Sequence, residues 1–219
     1  MILMQCGPVR HRMRAAATDE PSGETTTRNV LVHRTAFHHE AEVDTSTLGA
    51  IQEIYGALVH DEQRNAAIVR DVEDALRRGR HCLVLTSRTA HLEILASALR
   101  EDGHAPITLH GKLGAKARRA AVDSLKVVEG GLPLLTVATG SYIGEGFDCP
   151  ALDTVFLVFP TKFKGRVVQY VGRVLRPYPS KTSIEVHDYV DASVPVLAYT
   201  HTERCVGYAS LGFPSPIEP

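Results

Sequence analysis

After residue 80 the chain alternates short apolar runs with segments whose apolar residues recur every three or four positions. HCLVLT (81–86), ITLH (107–110), LLTVAT (134–139), TVFLVFP (154–160) and IEVHDYV (184–190) have the length and the β-branched content of strands. Between them, residues 88–100 repeat Leu92, Leu95 and Leu99 at helical spacing and stop before Gly103, and residues 115–127 and 164–176 read as further helices. Strands separated by helices of ten or more residues predict crossover units, hence a parallel sheet covered on both faces. Upstream, NVLVHRT (29–35) predicts another strand, and residues 47–79 predict helix in two pieces divided near His60 and Asp61. The polar, turn-rich opening and the end containing Pro214, Pro216 and Pro219 predict poorly ordered termini.

The segment 164–176 has two unlike faces. On a 3.6-residue period Arg166, Gln169, Arg173 and Arg176 fall together, with Val167, Val171, Val174 and Leu175 opposite. Pro177 disfavours helical geometry at the residue before it. From Thr161 to Lys181 the cations are Lys162, Lys164, Arg166, Arg173, Arg176 and Lys181, and no carboxylate intervenes. A solvated basic face would share this composition. The missing acidic partners, and Gly172 as a point of close approach, favour an anion site, and the guanidinium fork suits phosphate.

The other strand ends carry related chemistry. In parallel sheets ligands bind beyond the carboxyl ends of the strands. Ser87-Arg88 follows the first run, Gly111-Lys112 the second, GSYIGEGFDCP the third, and the basic segment the fourth. Small, hydroxyl and basic residues contact phosphate through amides, hydroxyls and cations, and four such loops on one edge predict a binding edge. Lys112, Lys116, Arg118 and Arg119 form a second basic cluster, read as solvated helix surface or as nucleic-acid contact.

Bulk properties narrow the setting. The 219 residues suffice for one sizeable core, and 24 basic against 25 acidic residues leave any basic site local. Cys6, Cys82, Cys149 and Cys205 lack metal or disulfide spacing, as do His33, His38 and His39 for a metal, so no metal ligands are predicted and a reducing, cytoplasmic location is expected. No apolar run approaches the roughly 20 residues of a membrane span, and the first residues do not read as a signal peptide.

Four segments, in order, resemble the C-terminal RecA-like domain of superfamily 2 (DEAD/DEAH-type) helicases: LVLTSR (83–88), LHGKL (109–113), ATGSYIGEGFDCP (138–150) and QYVGRVLR (169–176), the last resembling QxxGRxxR. The resemblance spans roughly residues 59–190 and implies a three-layer α/β fold, a RecA-like (P-loop NTPase-like) parallel sheet with helices on both faces. It implies a domain at 29–200, a remnant of a preceding domain at 1–28, and a partly frayed extension at 201–219. ATP with Mg2+ would lie between this domain and a first RecA-like domain. Arg173 and Arg176 would be arginine fingers and Gln169 would lie near the terminal phosphate. Asp148 would face the ribose or the coupling network, with Gly146 and Glu145 shaping its loop. Ser87, Arg88, Gly111, Lys112 and Thr139 would hold a single- or double-stranded nucleic acid, DNA ahead of RNA. Asp148 also suits a cap of the turn before Pro150, and Gly111 a turn alone.

The sequence departs from the whole motor. It contains no GxxxxGK[ST], and DEQR (61–64) precedes a helix rather than ending an apolar strand, so it is not a DExH magnesium motif. The expectation is the C-terminal half of an ATP-dependent helicase or translocase, inactive alone and starting inside a longer helicase. The alternatives are a stand-alone nucleic-acid-binding or regulatory module derived from a helicase, and an unrelated α/β enzyme holding a phosphorylated metabolite.

Overall fold

The computed structural model describes residues 26–39, 49–126, 133–143, 149–160, 164–179 and 181–219. Strands β1 (Thr27–Arg34), β2 (Cys82–Thr86), β3 (Ile107–Leu109), β4 (Leu135–Thr139), β5 (Thr154–Leu157) and β6 (Ser183–Val190) form one sheet in the order β1-β6-β5-β2-β4-β3. Every adjacent pair is parallel. The described helices are α1 (Ala50–His60), α2 (Glu62–Arg77), α3 (Thr89–Glu101), α4 (Ala115–Lys126), α5 (Gly140–Ile143), α6 (Lys164–Val174) and α7 (Pro195–Ser210).

The strand period of two sorts side chains to the two faces. Leu83, Leu85, Ala138, Val155 and Leu157 join a core with Leu125 of α4, Tyr170, Val171 and Val174 of α6, and Tyr208 of α7. Cys82, Val84, Val137 and Phe156 join the opposite core with Ile68, Val72 and Leu76 of α2 and Leu92, Leu95 and Leu99 of α3. Both faces are therefore covered, and the fold is the three-layer α/β arrangement that the resemblance implies. This is why β2 and β4 are buried at every residue and read as largely apolar runs broken only by threonines. β5 ends at Leu157, short of the predicted residue 160. Phe159 leaves the sheet line to join Ile54, Leu58 and Val194 in a third cluster beneath α1, and Pro160 has no N–H to donate.

The break between α1 and α2 has a local cause. The Asp61 carboxylate accepts from the Arg64 backbone N–H (2.7 Å) and caps α2. DEQR is thus a helix start. Its arginine turns inward, where Arg64 is 2% exposed. Its Nε donates to Asp191 Oδ1 (2.7 Å), its Nη2 to Oδ2 (3.3 Å) and its Nη1 to the Val158 carbonyl (2.9 Å). Thr35 Oγ1 also donates to Asp191 Oδ1 (2.5 Å). One ion pair therefore links α2 to the ends of β1, β5 and β6.

Helix α7 was not predicted from the sequence. Its buried residues are Leu197, Thr200, Arg204, Gly207 and Tyr208, a helical stripe with few apolar members, so hydropathy alone does not reveal it. The stripe is polar because it meets a buried carboxylate. Arg204 pairs with Asp188 Oδ1 (2.8 Å) and donates through Nε to Oδ2 (2.9 Å), and Tyr208 Oη donates to Oδ2 (2.8 Å). Beyond α7, Phe213 joins the core and Ile217 bridges Leu31 of β1. The expected remnant at residues 1–28 lies outside the described residues up to residue 25.

Removing one partner of a buried ion pair leaves an uncompensated charge and costs roughly 3–5 kcal/mol. Arg64→Met is expected to lower unfolding stability by about that amount, measured by urea denaturation. The double variant with Asp191→Asn should recover part of the loss. A loss below about 1 kcal/mol for Arg64→Met would mean that the pair does not hold the edge.

Candidate functional site

Because every strand is parallel, all six carboxyl ends share one edge. β2, β4 and β3 are neighbours in the sheet, so the residues that follow them stand side by side. Ser87 is exposed and Arg88 half-buried after β2. Thr139 ends β4 with 5% exposure, and Gly111 and Lys112 are exposed after β3. The topology thus brings together the five residues read as strand contacts, although Thr139 is covered.

Arg88 is already engaged. Its guanidinium lies over the rings of Tyr55 (5.6 Å) and Phe159 (5.9 Å) and donates to Gln52 Oε1. Helix α1 therefore reaches the edge and holds the side chain that sequence reading assigned to a nucleic-acid backbone. Burial pushes the Tyr55 phenol up, opposed by the nearby Arg88 charge. No local motif signals this contact, because α1 lies far from Arg88 in sequence.

Behind the β2 end runs a buried chain of hydrogen bonds. His91 Nδ1 lies 3.1 Å from Thr86 Oγ1 and its Nε2 lies 2.9 Å from Asn65 Oδ1, while Asn65 Nδ2 donates to the Val59 carbonyl (2.9 Å). Thr86 Oγ1 also accepts from the Arg88 backbone N–H (3.3 Å). This fixes the first residues of the Ser87-Arg88 loop against α2 and α3. Burial, with the Arg64 charge nearby, lowers His91 to about 3, so the ring is neutral.

Helix α6 follows β5, and its described residues divide only partly into the two expected faces. Tyr170, Val171 and Val174 are buried, Gln169 and Arg176 are exposed and Arg173 is half-buried. Arg176 lies just past the helix end at Val174. Gly140 sits so close to Tyr170 that a Cβ there would lie 2.3 Å from the Tyr170 hydroxyl oxygen, so the start of α5 needs glycine to let α6 pack. Around Gly172 nothing beyond its own helix backbone lies within 4 Å of where a Cβ would stand. Lys181 does not join the outer cations of α6, because its ammonium donates to three backbone carbonyls. The side chains of Lys164, Arg166 and Val167, residues 161–163, and Glu145, Gly146 and Asp148 lie outside the described residues.

Other sequence candidates resolve as structure. His33 Nε2 lies 2.9 Å from His187 Nδ1, and His33 Nδ1 lies 3.1 Å from Asp71 Oδ2, joining β1, β6 and α2. Among the described residues no group of three His, Cys, Asp or Glu side chains is placed to hold a metal ion. Among them, too, no helix is long and apolar enough to cross a membrane. Sequence reading missed the Arg64–Asp191 pair, the His91 chain and the role of Lys181. Only the first had a local signal, the capping Asp61 ahead of an apolar helix.

The sequence matches the family described as "Helicase conserved C-terminal domain" over residues 65–178. The transcript termination protein A18 of Fowlpox virus (strain NVSL) is 26% identical over 142 residues, 63% of this chain and 29% of that protein. The chain thus spans less than a third of that relative's length. Among solved structures, T4 UvsW superposes with a TM-score of 0.63 at 20% identity, covering 88% of this chain and 41% of that one. The E. coli DEAD-box protein SrmB, solved bound to regulator of ribonuclease activity A, superposes with a TM-score of 0.57 at 18% identity, covering 89% and 90%. These two likenesses bear on the fold alone.

A pH dependence follows from His91. The unfolded side chain takes a proton near 6.5 and the folded one only near 3, so between those values the unfolded state binds more protons and stability falls as pH falls. His187, also lowered chiefly by burial, acts in the same direction. Urea-denaturation stability is expected to decline from pH 6.5 to about 4.5, above the ordinary carboxylate range. The decline should be shallower in His91→Gln. Equal slopes in the two proteins would contradict a neutral buried His91.

Proposed function

The chain belongs to the helicase conserved C-terminal domain family, and we propose that it works as the second RecA-like half of an ATP-dependent nucleic-acid motor. The observation that carries this reading is α6, which is anchored by Tyr170, Val171 and Val174 and leaves Gln169 and Arg176 exposed and Arg173 half-buried.

The chain holds no phosphate loop, so ATP and Mg2+ would be held mainly by a first RecA-like domain carrying GxxxxGK[ST] and a DExH motif. The donor chemistry of α6 fits the remaining share. ATP supplies a transferable phosphoryl group whose charge spreads over several oxygens during transfer. Arg173 and Arg176 would stabilise that charge with fixed guanidinium forks, and Gln169 would hydrogen-bond the terminal phosphate. Glu145, Gly146 and Asp148 would shape the loop that faces the nucleotide. Residues 29–200 would form the domain, with the rest of α7 packed against β6.

On the neighbouring strand ends, Ser87, Arg88, Gly111 and Lys112 would grip a nucleic-acid backbone, with Thr139 shaping the edge beneath it. Phosphate contacts carry no base information, so binding would be sequence-tolerant. Arg88 would exchange its Gln52 bond for a phosphate while keeping its aromatic support.

Two measurements test the reading. The chain alone should hydrolyse no ATP above background. With a first RecA-like domain supplied in trans, strand-stimulated turnover should appear. Arg173→Ala or Arg176→Ala should then cut it by about 10³-fold, without rescue by lysine, which lacks the fork. In fluorescence titrations of single-stranded DNA and RNA at several salt concentrations, Arg88→Ala should weaken binding and reduce the salt slope by about 0.7. Arg176→Ala should leave strand binding nearly unchanged. Strand-stimulated turnover by the chain alone would overturn the division of labour. A larger loss of strand affinity for Arg176→Ala than for Arg88→Ala would make α6 a nucleic-acid face and favour a stand-alone binding module.

A further inference from the structure

Lys181 lies outside every motif considered above, yet its contacts reach both sides of the α6 terminus. Its Nζ donates to the carbonyls of Val174 (2.9 Å) and Arg176 (2.9 Å) and to that of Pro150 (2.6 Å). Val174 ends α6 and Arg176 lies just past it, where carbonyls lack helical partners and a cation is favoured. Pro150 belongs to the turn closed by the Leu152 N–H donating to the Cys149 carbonyl (3.2 Å), which leads toward β5. An ammonium has three donors and no acceptor, and here all three are used on backbone oxygens.

We propose that Lys181 is a positioning residue, a clamp that ties the α6 terminus to the Cys149–Leu152 turn and so fixes where Arg173 and Arg176 stand relative to the sheet. Its consequence for turnover rests on the nucleotide-facing reading of α6; the clamp itself does not.

The clamp is conditional on the proton. A neutral amine keeps two N–H groups and turns a lone pair toward a carbonyl oxygen, so deprotonation breaks at least one of the three bonds. Burial lowers Lys181 to about 8, and Arg80 pushes the same way. Asp153 and Cys149, from the segment before β5, favour the charged form. The α6 terminus is thereby held most firmly to the turn at neutral pH and less firmly in mildly alkaline solution.

The test uses amide NMR of the whole chain from about pH 6.5 to pH 9.5, with neither nucleotide nor nucleic acid. The resonances of residues 149–152 and 174–176 should shift together with a common midpoint near 8. Lys181→Arg, charged throughout this range, should abolish that titration. Lys181→Met should hold both segments near their alkaline positions at every pH. Segments that titrate separately or not at all, or that stay unmoved in Lys181→Met, would overturn the clamp. With a first RecA-like domain supplied, Lys181→Met should lower kcat about 10–10²-fold, the cost of misplacing a catalytic group, with KM for ATP little changed. An unchanged kcat beside active wild type would refute the positioning role. No turnover in the wild type would instead count against the proposed function, leaving the clamp to be judged by the NMR result.

Discussion

Everything on the candidate edge depends on the parallel pairing of β2 with β4 on one side and β5 on the other. A parallel neighbour can be reached only by crossing over a face of the sheet. Each crossover here is covered by helix, and each strand delivers its carboxyl end to the same edge. Ser87, Gly111 and Thr139, far apart in sequence, thereby share one edge without any motif being long. The same constraint places α6 directly after β5, beside the loop that follows β2.

Buried polar contacts then hold that edge in one shape. Arg64 with Asp191 gathers the ends of β1, β5 and β6 under α2, and His91 pins the end of β2 to α2 and α3. Asp188 draws α7 onto β6 through Arg204 and Tyr208. Such groups add little net stability compared with apolar packing, but a wrong arrangement leaves a buried charge or donor without a partner. Their consequence is geometric: alternative placements of the helices around the edge become costly. The function proposed above, with arginines presented to a group on another domain, would need that rigidity.

How much of this was legible follows from which residues were asked to report. β2 and β4 bury both faces, so apart from Thr86, Thr136 and Thr139 their sequences are apolar and were readable as strands. The two faces of α6 were readable because valines and arginines separate cleanly on a helical period. Helix α7 was not, because Thr200, Arg204 and Gly207 occupy core positions that hydropathy assigns to solvent. The engagement of Arg88 by Gln52 and Tyr55 was equally invisible, since it is a long-range contact with no local pattern. Lys181 was read as one more cation of the basic run, because sequence does not reveal that three backbone carbonyls consume its donors. In each case the unreadable feature is a polar side chain whose partner is supplied by the tertiary fold.

The central claim is that α6 faces a nucleotide held by another domain. The most direct measurement is photo-cross-linking with an ATP analogue reactive at its terminal phosphate, bound to a first RecA-like domain together with this chain and a single strand. Peptide mapping should place the label within residues 169–176, and excess ATP should abolish it. Failure of the nucleotide to label this segment, together with cross-linking of a photoreactive strand to the same residues, would contradict the account.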